Sequence, residues 1–209
     1  MTGSGPPVAR RGPGADPYAW MRDRDQPETR AYLAAERAYY DQQTAPLRGL
    51  REELFAELAA RLPPAEESVR WRRGAFWYFT QTVAGQQLKQ FCRAAAPDGP
   101  GEVLLDENLL LADPAAAGSY AELGVREVSP DGRYLAYSVD FDGDEVYQLR
   151  IRDLAAGADL AERIERSYYG LAWAADSRSL LYVVTDPAYR PHQVWRHELG
   201  TAPERDALV

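Results

Sequence analysis

Two stretches of this chain repeat one another at a fixed interval. Ser129–Ser138 reads SPDGRYLAYS and Ala174–Val183 reads AADSRSLLYV, so that Asp131, Arg133, Leu135 and Tyr137 recur 45 residues later as Asp176, Arg178, Leu180 and Tyr182. The match runs on. YQLRIRDL (Tyr147–Leu154) aligns with HQVWRHEL (His192–Leu199) at the same offset, with Gln148 on Gln193, Leu149 on Val194 and Leu154 on Leu199. A fainter copy, RGAFWYFT (Arg73–Thr80), lies 58 residues before DGRYLAYS, and Gln90 lies 58 before Gln148. The extra 13 residues fit an insertion within LLDENLLLADPAAAGSYAEL.

Each copy reads as a strand, a tight turn (Asp131-Gly132, Asp176-Ser177), a strand, a polar loop and another strand. In Tyr134–Val139, Leu135, Tyr137 and Val139 alternate with Tyr134, Ala136 and Ser138, the period of a strand with two distinct faces. Ser179–Val184 is more continuously apolar. A period near 45 built of antiparallel strands is that of a β-propeller blade, because stacked blades bury faces that one small sheet leaves wet. A β-solenoid or two unrelated hairpins are the rivals, and the double match at one offset favours the propeller. About three units are visible, at roughly 67–120, 121–165 and 166–209. Closed propellers have about 4–8, so a partial one is expected.

Upstream the texture is helical. Residues 1–15 read as a disordered tail, and 16–66 as a helical segment. Pro27 suits the first position of a helix capped by Asp25 or Gln26, with Tyr32, Ala35 and Tyr39 on one face. A second helix from near Pro46 carries Leu47, Leu50, Leu54 and Leu58 in one stripe, with Phe55 and Leu62 beside it, and Pro63-Pro64 ends it. Two helices with one stripe each cannot make a core alone.

Composition narrows the partners. Lys and Arg number 24 against 32 Asp and Glu, a net charge of −8, which argues against nucleic acid and anionic membranes. Thirteen Tyr, five Trp and five Phe support a packed core. Cys92 is the only cysteine, so neither an intrachain disulfide nor a cysteine metal cluster is open to the chain. Arg10-Arg11 is followed by no apolar run, and no stretch approaches the ~18 apolar residues of a membrane span. A cytoplasmic protein is the expectation.

No residue set carries chemistry by itself. There is no G-x-S-x-G or S-x-x-K. Ser129 precedes the Pro130-Asp131-Gly132 turn and reads as a turn group. His192 and His197 are five apart in an expected strand, on opposite faces. DFDGDE (Asp140–Glu145) looks like a calcium loop but fails the spacing: the sixth position is Glu145, not Gly, and the twelfth is Ile151, not Glu. Cys92 stands beside Arg93, which could lower a thiol pKa, but with no histidine near in sequence a small packed residue is the favoured reading. Catalytic, cofactor-binding and metal-binding residues are therefore expected to be absent from this chain.

DPYAWMRD (Asp16–Asp23), YLAAERAYY (Tyr32–Tyr40), LREELFAEL (Leu50–Leu58), FWYFT, Cys92-Arg93, SPDGRYLAYSVDFDGDEVYQLRIRDL (Ser129–Leu154) and RPHQVWRHELGT (Arg190–Thr201) together resemble the N-terminal part of prolyl oligopeptidase-family serine peptidases. They are most similar to the oligopeptidase B branch. Arg37, Arg70 and Leu88 depart from the family's usual residues. The resemblance implies the start of a seven-bladed propeller that gates access to an α/β-hydrolase domain. The serine, aspartate and histidine of that domain map to no position here, and the helical lead-in would pack on it. It also implies serine acyl transfer, short peptides cut after Arg or Lys as substrates, no cofactor, and no peptidase activity in the isolated chain. The alternative is a non-catalytic propeller module that binds peptides or proteins.

Overall fold

The turn that separates the first two strands of each repeat takes the same backbone form in all three copies. Gly74, Gly132 and Ser177 adopt φ of +60°, +76° and +56°, the left-handed region that glycine enters freely and serine rarely. The computed structural model describes residue 16, residues 18–113 and residues 120–209. The tail expected over 1–15 lies outside the described residues, as does part of the insertion.

The chain divides into two compact units, Met1–Pro63 and Pro64–Val209. In the first, a single 3-10 turn (Ala19–Arg22) precedes α1 (Pro27–Thr44), and a second (Ala45–Leu47) leads into α2 (Arg48–Ala60). Gln26 is the extended residue before α1, with Pro27 at the first helical position and Glu28 in the first turn, where a negative charge complements the helix dipole. Thr29 is buried and its hydroxyl donates to the Trp20 carbonyl at 3.4 Å. The Trp20 ring meets Tyr32 edge-on at 5.5 Å. No residue of α2 is buried. Leu50, Leu54, Phe55 and Leu58 stand 47–74% exposed.

The second unit is antiparallel. One sheet contains β1 (Glu66–Glu67), β2 (Trp71–Arg73), β3 (Phe76–Thr82), β4 (Lys89–Ala94) and β5 (Glu102–Asp106), with β1 and β2 both pairing β3. The other contains β6 (Glu122–Val128), β7 (Tyr134–Asp140), β8 (Tyr147–Asp153), β9 (Ala158–Trp173), β10 (Ser179–Thr185), β11 (Pro191–Glu198) and β12 (Ala207–Leu208), neighbours in chain order. The sequence offsets reappear as strand register. Gln81 pairs with Gln90, Val139 with Gln148 and Val184 with Gln193. Thr80 pairs with Phe91, Ser138 with Leu149 and Val183 with Val194. The faint first copy is therefore a structural repeat like the other two.

β7 is buried on both faces, although its alternation alone predicts only two distinct ones. Leu135, Tyr137 and Val139 join Tyr78, Phe91 and Leu104 of the first sheet in one cluster. Ala136, on the opposite face, joins Leu149, Ile151, Leu180 and Tyr182 in another. Face-on-face stacking is what the 45-residue period encodes. The expected division between residues 165 and 166 falls inside the 16-residue β9. Its first part pairs with β8 and its last with β10, and Ser167 pairs with both Tyr147 and Val184. Arg166, within that strand, adopts φ +60°.

Candidate functional site

Ser129, the Asp140 loop, Cys92 and His197 are built into the scaffold. Ser129 donates from Oγ to Asp131 Oδ1 at 2.6 Å and accepts the Tyr134 N–H at 2.9 Å, which ties the hydroxyl into the turn. Asp140 is buried, and its carboxylate accepts the N–H groups of Asp142, Gly143 and Glu145 at 2.8–2.9 Å. The acidic loop is thus folded around Asp140 by its own backbone. Among the described residues no group of three or more His, Cys, Asp or Glu is arranged to hold a metal.

Cys92 is fully buried, and burial pushes its thiol up to about 11. Arg93 does not activate it. That guanidinium lies over the Phe76 ring and bonds Glu102 at 2.8 Å and the Gly132 carbonyl at 2.7 Å. Cys92, Phe79 and Ala94 form a small cluster of their own. Arg70 covers it, with its guanidinium 4.0 Å from the Phe79 ring centre and bonds to the Pro97 and Gly99 carbonyls at 3.1 and 2.7 Å. The departure at Arg70 from the family's usual residue has a structural use.

The two histidines separate as strand alternation requires: His192 is exposed and His197 buried. His197 Nδ1 lies 2.8 Å from Asp206 Oδ1, and Tyr182 donates to Asp206 Oδ2 at 2.8 Å. One repeat earlier, Tyr137 donates to Asp159 Oδ2 at 2.7 Å and Arg152 to Asp159 Oδ1 at 3.3 Å. His197 pairs with Leu180 and Arg152 with Leu135, so histidine and arginine hold one repeat position. Burial first, and then the carboxylate partner, raise both tyrosine hydroxyls well above the usual phenol range. These clasps lock strands; they contain no nucleophile with a base.

The Tyr-carboxylate clasps leave no mark in the sequence beyond the recurrence of Tyr137 and Tyr182 within the repeat. Their partners Asp159 and Asp206 lie 47 residues apart, off the 45-residue offset that aligned the rest.

Two features remain open. One is the apolar face of α2, lined by Leu54, Phe55 and Leu58 beside Arg48, Arg51 and Glu52. The other is a cavity of about 300 Å³ between the two sheets, at their edge strands β2 and β6, lined by Trp71, Tyr78, Phe91 and Arg126 among others. Trp71 lies 6.2 Å from Phe91 and 6.3 Å from Tyr78, and Tyr78 and Phe91 are 5.8 Å apart, all at low interplanar angles.

Residues 11–209 match the family described as prolyl oligopeptidase, N-terminal β-propeller domain. The chain belongs to that family. Among curated relatives, dipeptidyl aminopeptidase BI of Pseudoxanthomonas mexicana is 36% identical over 93% of this chain and 29% of its own length. Protease 2 of Moraxella lacunata is 32% identical over 93% of this chain and 29% of its own. An uncharacterized peptidase of Sinorhizobium fredii is 40% identical over 88% of this chain and 24% of its own. The chain thus spans less than a third of the relatives it matches. Among solved structures, oligopeptidase B of Leishmania major superposes with a TM-score of 0.85 at 27% identity, covering 92% of this chain and 28% of that one. Oligopeptidase B of Trypanosoma brucei with covalently bound antipain gives 0.83 at 27% identity, covering 100% and 30%. The repeated antiparallel units are accordingly propeller structure with a helical lead-in, the fold expected from the repeat. Among the described residues no helix is long and apolar enough to cross a membrane.

Proposed function

We propose that this chain is the helical lead-in and first part of the propeller, about three blades at roughly 67–120, 121–165 and 166–209, of an oligopeptidase B-like serine endopeptidase. The whole protein cuts short peptides after Arg or Lys in the cytoplasm. It does so by serine acyl transfer, with a histidine base and an oxyanion hole supplied by an α/β-hydrolase domain. The propeller limits access to that domain. The observation that carries this reading is the likeness to oligopeptidase B over nearly all of this chain and under a third of the other.

The apolar face of α2 supports it. A helix with no buried residue and several half-exposed leucines is unstable by itself and calls for a covering surface. The catalytic domain is the occupant we assign to it.

The test is hydrolysis of an arginyl fluorogenic peptide, first by the native polypeptide and then by the 209-residue chain alone. Turnover by the native polypeptide that a serine-directed inhibitor stops, with none from the 209 residues, is expected. Turnover by the 209 residues overturns the assignment of catalysis to another domain. A native polypeptide that binds peptides and cuts none would be the non-catalytic module instead.

A further inference from the structure

One repeat position is occupied differently in the two gaps between strand layers. Arg126 pairs with Tyr137 and Leu171 with Tyr182. Since Tyr137 and Tyr182 are repeat equivalents, Arg126 and Leu171 hold the same place. Leu171 packs on the second core cluster with Trp173 and Tyr134. At Arg126 the corresponding space is the 300 Å³ cavity walled by stacked aromatic rings.

The β6 backbone just before this arginine packs closely. The β6–β7 register slips between Leu123 and Arg126, and the β9–β10 register slips at the equivalent place, between Tyr182 and Val184, so both repeats carry the bulge and the difference lies in the side chain, arginine against leucine. Gly124 permits the close approach: a Cβ there would lie 2.6 Å from the Tyr147 ring and 2.7 Å from Ser138 Oγ.

Arg126 makes one long ion pair and one ring contact. Its guanidinium sits 4.9 Å from the Phe91 ring centre with its side chain 31% exposed. Among the described residues it donates no hydrogen bond, and its ion pair with Glu107 is long, at 3.9 Å. Burial holds the Glu107 carboxyl above its usual range even though Arg126 pulls the other way. The other cation of the cavity, Arg73, is committed to Glu127 at 2.6 Å. A guanidinium with five donors, backed by an aromatic face and partly shielded from water, matches the two oxygens of a carboxylate.

We propose that this cavity binds a carboxylate group of a peptide, with Arg126 holding the two oxygens and the exposed ring of Trp71 taking the adjacent apolar side chain. That the ligand is a peptide rests on the peptidase reading; that it carries a carboxylate rests on the cavity. The group is either a C-terminus or an Asp or Glu side chain.

Calorimetric titration of the native polypeptide, treated with a serine-directed reagent so that no peptide is consumed, separates these. The probes are acetyl-Ala-Phe-Ala with a free C-terminus, the same peptide amidated, and amidated acetyl-Ala-Phe-Asp. At least one carboxylate peptide is expected to bind tenfold or more tightly than the neutral amide, and which one does so names the source. Arg126→Leu, which installs the residue of the neighbouring repeat, is expected to erase that preference; Arg126→Gln serves equally should the leucine variant lose its cooperative melt. Equal binding of all three probes, or a preference that survives both substitutions, overturns the proposal. Arginyl-peptide hydrolysis by untreated protein is scored separately, so failure of the peptidase reading leaves the carboxylate result standing, and the reverse.

Discussion

Tyr182 and Asp206 are joined by a hydrogen bond of 2.8 Å across 24 residues of chain, in the place that Tyr137 and Asp159 fill one repeat earlier at 2.7 Å. The carboxylate in each clasp is shared with a cationic or imidazole side chain, Arg152 or His197. Removing the tyrosine hydroxyl leaves a shielded carboxylate one donor short. Tyr182→Phe is expected to cost about 1–3 kcal/mol of unfolding free energy, read from urea denaturation. Tyr137→Phe is expected to fall in the same range, and a neutral result at both positions would show that the clasps are ornamental.

Turn carboxylates make the fold acid-sensitive. The N–H groups of Arg178 and Ser179 hold the Asp176 carboxyl below the usual range, and the Arg133 guanidinium does the same for Asp153. A folded-state pKa depressed below the unfolded value of about 4 contributes stability above that pH and loses it as pH falls through the folded value. The melting temperature is therefore expected to drop below about pH 4. Asp176→Asn is expected to melt lower than the parent at pH 7 and to converge with it in acid.

Two glycines are expected to respond in opposite directions to alanine. At Gly124 the new methyl would meet Tyr147 and Ser138 at under 3 Å, and Gly124→Ala is expected to destabilise by about 1–3 kcal/mol. At Gly49, inside α2, a Cβ meets nothing within 4 Å. Gly49→Ala is expected to stabilise the helix by about 0.5–1 kcal/mol, measured as helicity and melting temperature of the parent and variant.

Cys92 is expected to be silent in the folded protein. With its thiol pushed up to about 11, against about 8.5 in an unfolded chain, ~200-fold less thiolate is present at pH 8, and burial removes access as well. Labelling by a chromogenic disulfide should follow the denaturant dependence of unfolding. Rapid labelling in native buffer would contradict the packing of Cys92 against Phe79 and Ala94.

The chain's local grammar determined the repeating layout. Turn residues at Gly74, Gly132 and Ser177, period-2 alternation in Tyr134–Val139 and the paired glutamines each act over a few residues, so their spacing carried directly into strand register. The same locality made the apolar face of α2 legible as a surface that wants a partner. The tertiary structure alone decided what meets across the layers. β9 crosses the expected boundary because one long strand can pair with β8 along its first part and β10 along its last. Asp159 and Asp206 reach their tyrosines from 22 and 24 residues away. Arg126 faces a ring-lined cavity where its repeat equivalent Leu171 faces a core. Those contacts depend on which faces stack, and side chains brought together by stacking leave no periodic mark in the sequence.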